Sequence, residues 1–324
     1  MSMEAPERVL VICFGVGNTL HAASLYDTVT ELHVADLSKD ILEHAGYFAA
    51  FNQNVLADPR VSVFMNDGRH HLLMQSPEFY DLITLEPPPI AHAGVSALYS
   101  REFYNLAKNR LKGGGYVSQW LPAYQLPEEA VLAMVAAFVD VFPNATLLHA
   151  APREFILLGQ KNGTNRFPLQ LVRQNLARFP RVRADLERIL LNTVTELVGS
   201  FASSSERLAQ VTDGVKSLTD DWPIAEYAVL SRLVDNRLSA TLFDVDSATR
   251  WCPECFRNSN EQEDLRNLPA YLEIMRKLYR SEEFLRYHNT STGGASMRFE
   301  PPTLNELEQG ALMKSPYLQI LFSK

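Results

Sequence analysis

Short β-rich runs and helix-period stretches alternate through the first half of the chain. Residues 9–14, 31–35, 61–66, 81–85 and 116–120 read as strands, with helical periodicity between them, including residues 39–51 and 101–111. A βαβα series of this kind makes a mostly parallel sheet covered by helices on both faces. Ligands then bind outside the carboxyl ends of the strands, where the strand order reverses. A helix over 128–141 leads to two further runs, 145–149 and 155–159, separated by "AAPRE" and suited to a closing antiparallel pair. From Phe167 the pattern is helical through Leu197, loosens in the Ser-rich "SFASSSE", and returns to "LTDDWPIAEYAVL". After Arg232 the texture changes again, with "WCPECF", a helical stretch at 268–279 and a Gly/Ser/Thr loop at 289–296. The expected organisation is an α/β domain over 1–163, a helical continuation over 164–232 and a C-terminal helical extension over 233–324.

Composition narrows the function classes. A hydrophobic content of 46% in 324 residues is ample for a packed core. No apolar run approaches the roughly 20 residues of a spanning helix. The N-terminus enters a strand pattern without the regions of a signal peptide, so the chain reads as cytoplasmic. With 30 basic and 38 acidic residues the net charge is −8, which argues against nucleic acid as a partner. Cys13, Cys252 and Cys255 make no disulfide framework. The pair in "CPEC" reads first as a local turn, with a redox pair or partial metal site as the lesser reading, so no metal site is expected. His70 and His71 read as a partly exposed helix start.

Three strand tips carry ligand signals. Phe14-Gly15-Val16-Gly17-Asn18 follows the first strand directly, and glycines there allow a tight turn and close approach of a ligand. Leu20 stands where a full dinucleotide fingerprint has its third glycine, which disfavours NAD. Asp36 ends the second strand, where a carboxylate can accept both ribose hydroxyls. Asp67, in Asn66-Asp67-Gly68, ends the third and is placed to meet an adenine edge. Each acid singly is more often a cap or turn former; three tips in succession favour a nucleoside site. The fourth tip is "LEPPPI", in which three prolines stiffen the backbone just behind Glu86.

The set "VLVICFGVGNTL", "LHVADLSKDIL", "FMNDGRHHL", "YDLITLEPPP", "SALYSREFYNLAKNRLKGGGYVSQWLPAY" and "LTDDWPIAEY" resembles the spermidine synthase-like proteins, particularly the bacterial type often fused to membrane segments. The resemblance spans residues 8–232. It implies an α/β, class I methyltransferase-like Rossmann fold with a mostly parallel seven-stranded sheet. It also implies binding of S-adenosylmethionine, its decarboxylated form, or the methylthioadenosine product. By the same resemblance Gly15 and Gly17 line the nucleoside, Asp36 holds the ribose, Asp67 meets the adenine and Glu86 takes the place of the catalytic acid. Tyr99, Gln119 and Tyr124 are expected wall residues for a small-molecule amine, offering aromatic faces and hydrogen bonds. Partners in this reading are a further copy of the chain and, for a fragment, a membrane domain.

Departures from the family pattern keep three functions open. Val16 replaces the acid of the "GGGDG" turn, the sequence reads as entering its first strand without the family's N-terminal β-domain, and Glu86-Pro87-Pro88-Pro89 replaces a segment with two acids. Aminopropyl transfer to an amine leads. An S-adenosylmethionine-dependent methyltransferase and a non-catalytic nucleoside-binding or assembly module are the alternatives. Asp220, Asp221 and Glu226 read as turn or helix-start residues, with a lesser chance of facing the cleft.

Overall fold

The structure is a computed structural model that describes residues 2–90, 92–123, 125–151, 154–191, 193–228, 236–257, 259–281, 284, 286–287 and 301–322. Its first half runs β1 (Arg8–Ile12), α1 (Asn18–Ser24), β2 (Glu31–Asp36), α2 (Lys39–Glu43), α3 (Ala49–Asn52), β3 (Val61–Met65), α4 (Gly68–Met74), β4 (Tyr80–Leu85), α5 (Arg101–Arg110), β5 (Leu111–Leu121), α6 (Glu128–Val141), β6 (Thr146–Ala151) and β7 (Glu154–Gln160). There follow α7 (Leu169–Arg178), α8 (Pro180–Arg188), α9 (Val194–Gly199), β8 (Phe201–Ser203), α10 (Ser205–Val211), α11 (Ile224–Ala228), α12 (Ala248–Trp251), α13 (Pro253–Phe256), α14 (Leu268–Arg280), α15 (Glu306–Lys314) and α16 (Pro316–Phe322). A separate two-stranded ribbon joins β9 (Asn236–Arg237) to β10 (Arg286–Tyr287).

Eight strands make one sheet in the order β3-β2-β1-β4-β5-β7-β6-β8. The first five positions are parallel, with Val11 opposite both Val34 and Thr84. β7 is antiparallel to β5 and β6, and the expected closing pair is therefore present. This is the α/β, Rossmann-like, class I methyltransferase-like sheet, with one strand more than expected. The Ser-rich stretch that reads as a loosening supplies β8, whose three buried residues pair with β6. The strand order reverses between β1 and β4, so the ligand crevice belongs at their carboxyl ends.

Side-chain alternation sorts the strands onto two cores. Val9, Val11, Leu32 and Val34 pack with Leu20 of α1 on one face. Leu10, Ile12, Ile83 and Leu85 pack on the other face with Phe103 of α5 and Phe138 of α6. Burial of α6 extends almost all round it, because α10 and α11 cover its outer side. The second core continues through Leu272, Met275 and Leu278 of α14 to Leu318 and Leu321 of α16. Each such side chain contributes about 1.5–3 kcal/mol of burial.

Several expectations change. Residues 39–51 are not one helix: Gly46 interrupts the run, and a 3-10 turn at Ala45–Phe48 separates α2 from α3. Cys252 and Cys255, read first as a local turn with a redox pair or partial metal site as the lesser reading, are bridged to each other, both fully buried with Cα atoms 5.4 Å apart. The turn between α12 and α13 brings them within the usual bridging range. Of the histidine pair only His70 is exposed. His71 turns inward, its Nε2 2.8 Å from the Tyr80 hydroxyl, which lies 2.9 Å from His33 Nδ1. Burial first, and the charge of His33 second, lower His71 to about 4. The loop read at 289–296 lies outside the described residues.

Candidate active site

The turn after β1 is built from three consecutive requirements. Cys13, Gly15 and Gly17 all adopt left-handed backbone, with φ of 68°, 56° and 88°. A Cβ on Gly17 would sit 2.5 Å from the Phe14 ring and 2.9 Å from Asn52 Cβ, so close packing excludes a side chain there. A Cβ on Gly15 would meet nothing within 4 Å, because that residue faces open space. Asn52 completes the turn by donating Nδ2 to the Val16 carbonyl at 2.9 Å.

Asp36 is buried at the tip of β2. Its two oxygens accept from the Phe14 and Ser38 backbone N–H groups, each at 2.7 Å. The carboxylate thus fixes the glycine turn, whatever else it binds. Asp67 caps α4, its Oδ1 accepting from His70 N at 2.8 Å. Glu86 is different. Its backbone N–H is held by the Ile12 carbonyl at 3.3 Å, Pro87 behind it is buried, and the side chain is exposed. All three acids converge on Cys13. Burial first, then the negative charges of Asp36, Asp67 and Glu86, push that thiol up to about 12.

A cavity of about 880 Å³ opens at the tips of β1 and β4. Gly15, Asn18 and Thr19 bound it on the β1–α1 side, and Thr84, Glu86 and Pro87 on the β4 side. Strand register explains the rest of the floor. Leu85 pairs with Gln119, which puts Glu86 beside Trp120, and Trp120 pairs with Ile156. Alternation then directs Ser118 and Trp120 of β5, with Glu154 and Ile156 of β7, to the same side as Thr84 and Glu86. Trp120 Nε1 donates to Glu154 Oε2. Ile189, Tyr317 and Ile320 add walls from beyond α8 and from α16. Among the described lining residues, Glu86 and Glu154 are the charged ones.

The remaining expected residues are distributed differently. Gln119 is fully buried on the opposite face of β5, with Nε2 donating to the Trp120 carbonyl at 3.1 Å and Oε1 lacking a partner among the described residues. Tyr99 is fully buried at the end of a 3-10 turn, Val95–Tyr99, in the core. Tyr124 lies outside the described residues. Neither Asp36 nor Asp67 lines the cavity. Asp220 forms a bidentate pair with Arg69 of α4, which lowers the Asp220 carboxyl below its usual range. Glu226 accepts from Ser96 at 3.0 Å and so ties α11 to the loop that follows the prolines. Sequence reasoning missed Glu154 and Trp120, and it read the C-terminal region as a helical extension without placing α16 on the cavity wall. The acid at the start of the β7 run in "AAPRE" was the one local signal available.

Residues 1–158 match the spermine/spermidine synthase domain. The chain is 30% identical over 159 residues to polyamine aminopropyltransferase 2 of Pseudomonas aeruginosa, covering 48% of this chain and 45% of that one. It is 26% identical over 143 residues to spermidine synthase of Dictyostelium discoideum, covering 44% and 50%. The chain thus spans about half the length of these relatives. The crystal structure of spermidine synthase from Thermotoga maritima is similar over 54% of this chain and 60% of that one, at 20% identity and a TM-score of 0.45. No helix of the described residues is long and apolar enough to cross a membrane. Over residues 1–158, just under half of the chain, the sequence is thus similar to the spermine/spermidine synthase domain.

Proposed function

We propose that the chain is an aminopropyltransferase that takes decarboxylated S-adenosylmethionine as donor and a small cationic amine as acceptor. The observation that carries this reading is the cavity at the β1–β4 switch point, whose charged lining residues are Glu86 and Glu154. Acidic walls attract an ammonium group. The turn at Gly15 leaves open space for a nucleoside against the backbone, and the family match supports the donor class.

The donor, when bound, supplies an alkyl carbon activated by a sulfonium. Residues of the chain prepare the acceptor. An alkylammonium with pKa near ~10 carries no free lone pair at neutral pH. Glu86, exposed at a stiffened strand tip, attracts that ammonium and takes up its proton. The amine lone pair then forms the new C–N bond while the C–S electron pair returns to sulfur, leaving a neutral thioether. General-base assistance of this kind is worth about 10²–10⁴-fold.

Glu86→Gln keeps the shape and removes the charge. Methylthioadenosine binding by calorimetry is expected to persist while turnover with decarboxylated donor and amine falls by about 10²–10⁴-fold. Full turnover in the folded variant would overturn the assignment. Tighter binding of S-adenosylmethionine than of its decarboxylated form would point to a methyltransferase instead. Binding of either without turnover of any amine would point to a non-catalytic module.

A further inference from the structure

Building on the reading of the cavity as an acceptor site, we propose that acceptor size is selected from outside the matched family domain, by Ile320 and Tyr317 of α16. Residues 1–158 supply the cavity floor and Glu86, but not its whole enclosure. Two residues of α16 line the cavity, at the i and i+3 positions of one helical face. The other face, Leu318 and Leu321, is buried in the main core, which fixes how the helix lies. Tyr317 is itself only 5% exposed, whereas the apolar Ile320 is left 40% exposed. An apolar side chain exposed on a cavity wall offers contact to the apolar part of a ligand.

The helix is held in place from its start. Ser315 accepts from Leu318 N at 3.3 Å as a cap, and its hydroxyl donates to Glu196 Oε1 at 3.2 Å. Glu196 is buried and is itself the acid of the capping box that opens α9. The wall is therefore tied to the core beneath it. Ile156 of β7 and Ile189 after α8 complete an apolar lining that suits the methylene segment of an alkylamine. Each methylene gained or lost from such contact changes affinity about fourfold.

The full chain, Ile320→Ala and Ile320→Phe are compared by calorimetry with methylthioadenosine alone. Each is then titrated, with methylthioadenosine present, against a homologous series of n-alkylamines and α,ω-diaminoalkanes. The best-bound amine is expected to shift by at least one methylene to larger members in Ile320→Ala and to smaller members in Ile320→Phe. Affinity at the edges of the profile should change about fourfold or more, while methylthioadenosine affinity stays within about twofold. Identical size profiles in folded wild type and Ile320→Ala, with amines bound, would overturn the α16 proposal and leave the transferase reading standing. Binding of methylthioadenosine but of no amine by the wild type would overturn the acceptor reading and this proposal with it. If Ile320→Phe does not fold, the cavity-enlarging Ile320→Ala decides alone.

Discussion

Gly15 and Gly17 look interchangeable in the sequence, yet the structure predicts opposite profiles for their alanine variants. At Gly17 the backbone has φ of 88°, and an added Cβ would lie 2.5 Å from Phe14 and 2.9 Å from Asn52. Neither neighbour can give way easily. Phe14 is 1% exposed, and the Asn52 amide is tied to the Val16 and Ala45 carbonyls at 2.9 and 3.0 Å. Left-handed backbone costs a non-glycine residue about 1–2 kcal/mol and overpacking about 1–3 kcal/mol, so Gly17→Ala should destabilise by about 2–5 kcal/mol. That is a large part of the ~5–15 kcal/mol stability of an ordinary protein. Gly15→Ala incurs only the backbone part, about 1–2 kcal/mol, because nothing lies within 4 Å of the new methyl group. Its methyl group would project where the nucleoside is proposed to lie, so it should weaken methylthioadenosine more than its mild effect on the fold would suggest. Urea titrations followed by circular dichroism give the stabilities, and calorimetry gives the affinities. Equal unfolding midpoints for the two variants, or an earlier midpoint for Gly15→Ala, would refute the packing argument.

Asp36→Ala should weaken adenosyl ligands and also destabilise the fold by about 2–4 kcal/mol, because it orphans the Phe14 and Ser38 N–H groups; Asp36→Asn, which keeps an acceptor, should lose less. Unfolding midpoints unchanged in Asp36→Ala would contradict that structural role. His71 is held at about 4, below the roughly 6.5 of an unfolded histidine. The unfolded state therefore binds the extra proton, and the contribution is complete above about pH 6.5 and lost as pH falls towards 4. Urea midpoints between pH 7.5 and 4.5 should decline less steeply in His71→Phe than in the wild type, and parallel declines would show that another group governs the loss.

What could be read from the sequence was local. Period-two runs, a glycine turn and a proline stop are each decided within a few residues, so the strand tips and Glu86 were legible. The face on which a residue sits depends on register. Gln119 and Trp120 are neighbours, but the pairing of Leu85 with Gln119 and of Trp120 with Ile156 sends the second, not the first, into the cavity. The same holds for Glu154: the closing antiparallel pair was legible, but the register of β7 against β5, which sends Glu154 into the cavity, was not. Asp36 illustrates another limit: its bond to Phe14 crosses 22 positions, and a strand-tip acid reads the same whether it holds a ribose or the turn beside it. Helix α16 was legible as part of a helical extension, but not as a cavity wall, because its place is set by the packing of Leu318 and Leu321 into a core shared with β1.

Lone-pair accounting separates the acids that converge on β1. A base for the proposed transfer must reach the acceptor, keep an oxygen free for its proton and have a route to return that proton to water. Asp36 is 7% exposed, with each oxygen already accepting a backbone N–H. Asp67 uses one oxygen to cap α4 and does not line the cavity. Glu86 combines an exposed carboxylate, a place in the cavity wall and a backbone fixed by Ile12 and the prolines. The nearby thiol is a poor nucleophile, because burial and then the charges of Asp36, Asp67 and Glu86 hold it protonated. With Cys13 at about 12, its thiolate fraction at pH 7 is only about 10⁻⁵. The charges that hold Cys13 protonated include that of Glu86, so the carboxylate proposed to receive an ammonium also suppresses the cysteine beside it. A single displacement, amine directly onto the transferred carbon, is the route this arrangement supports.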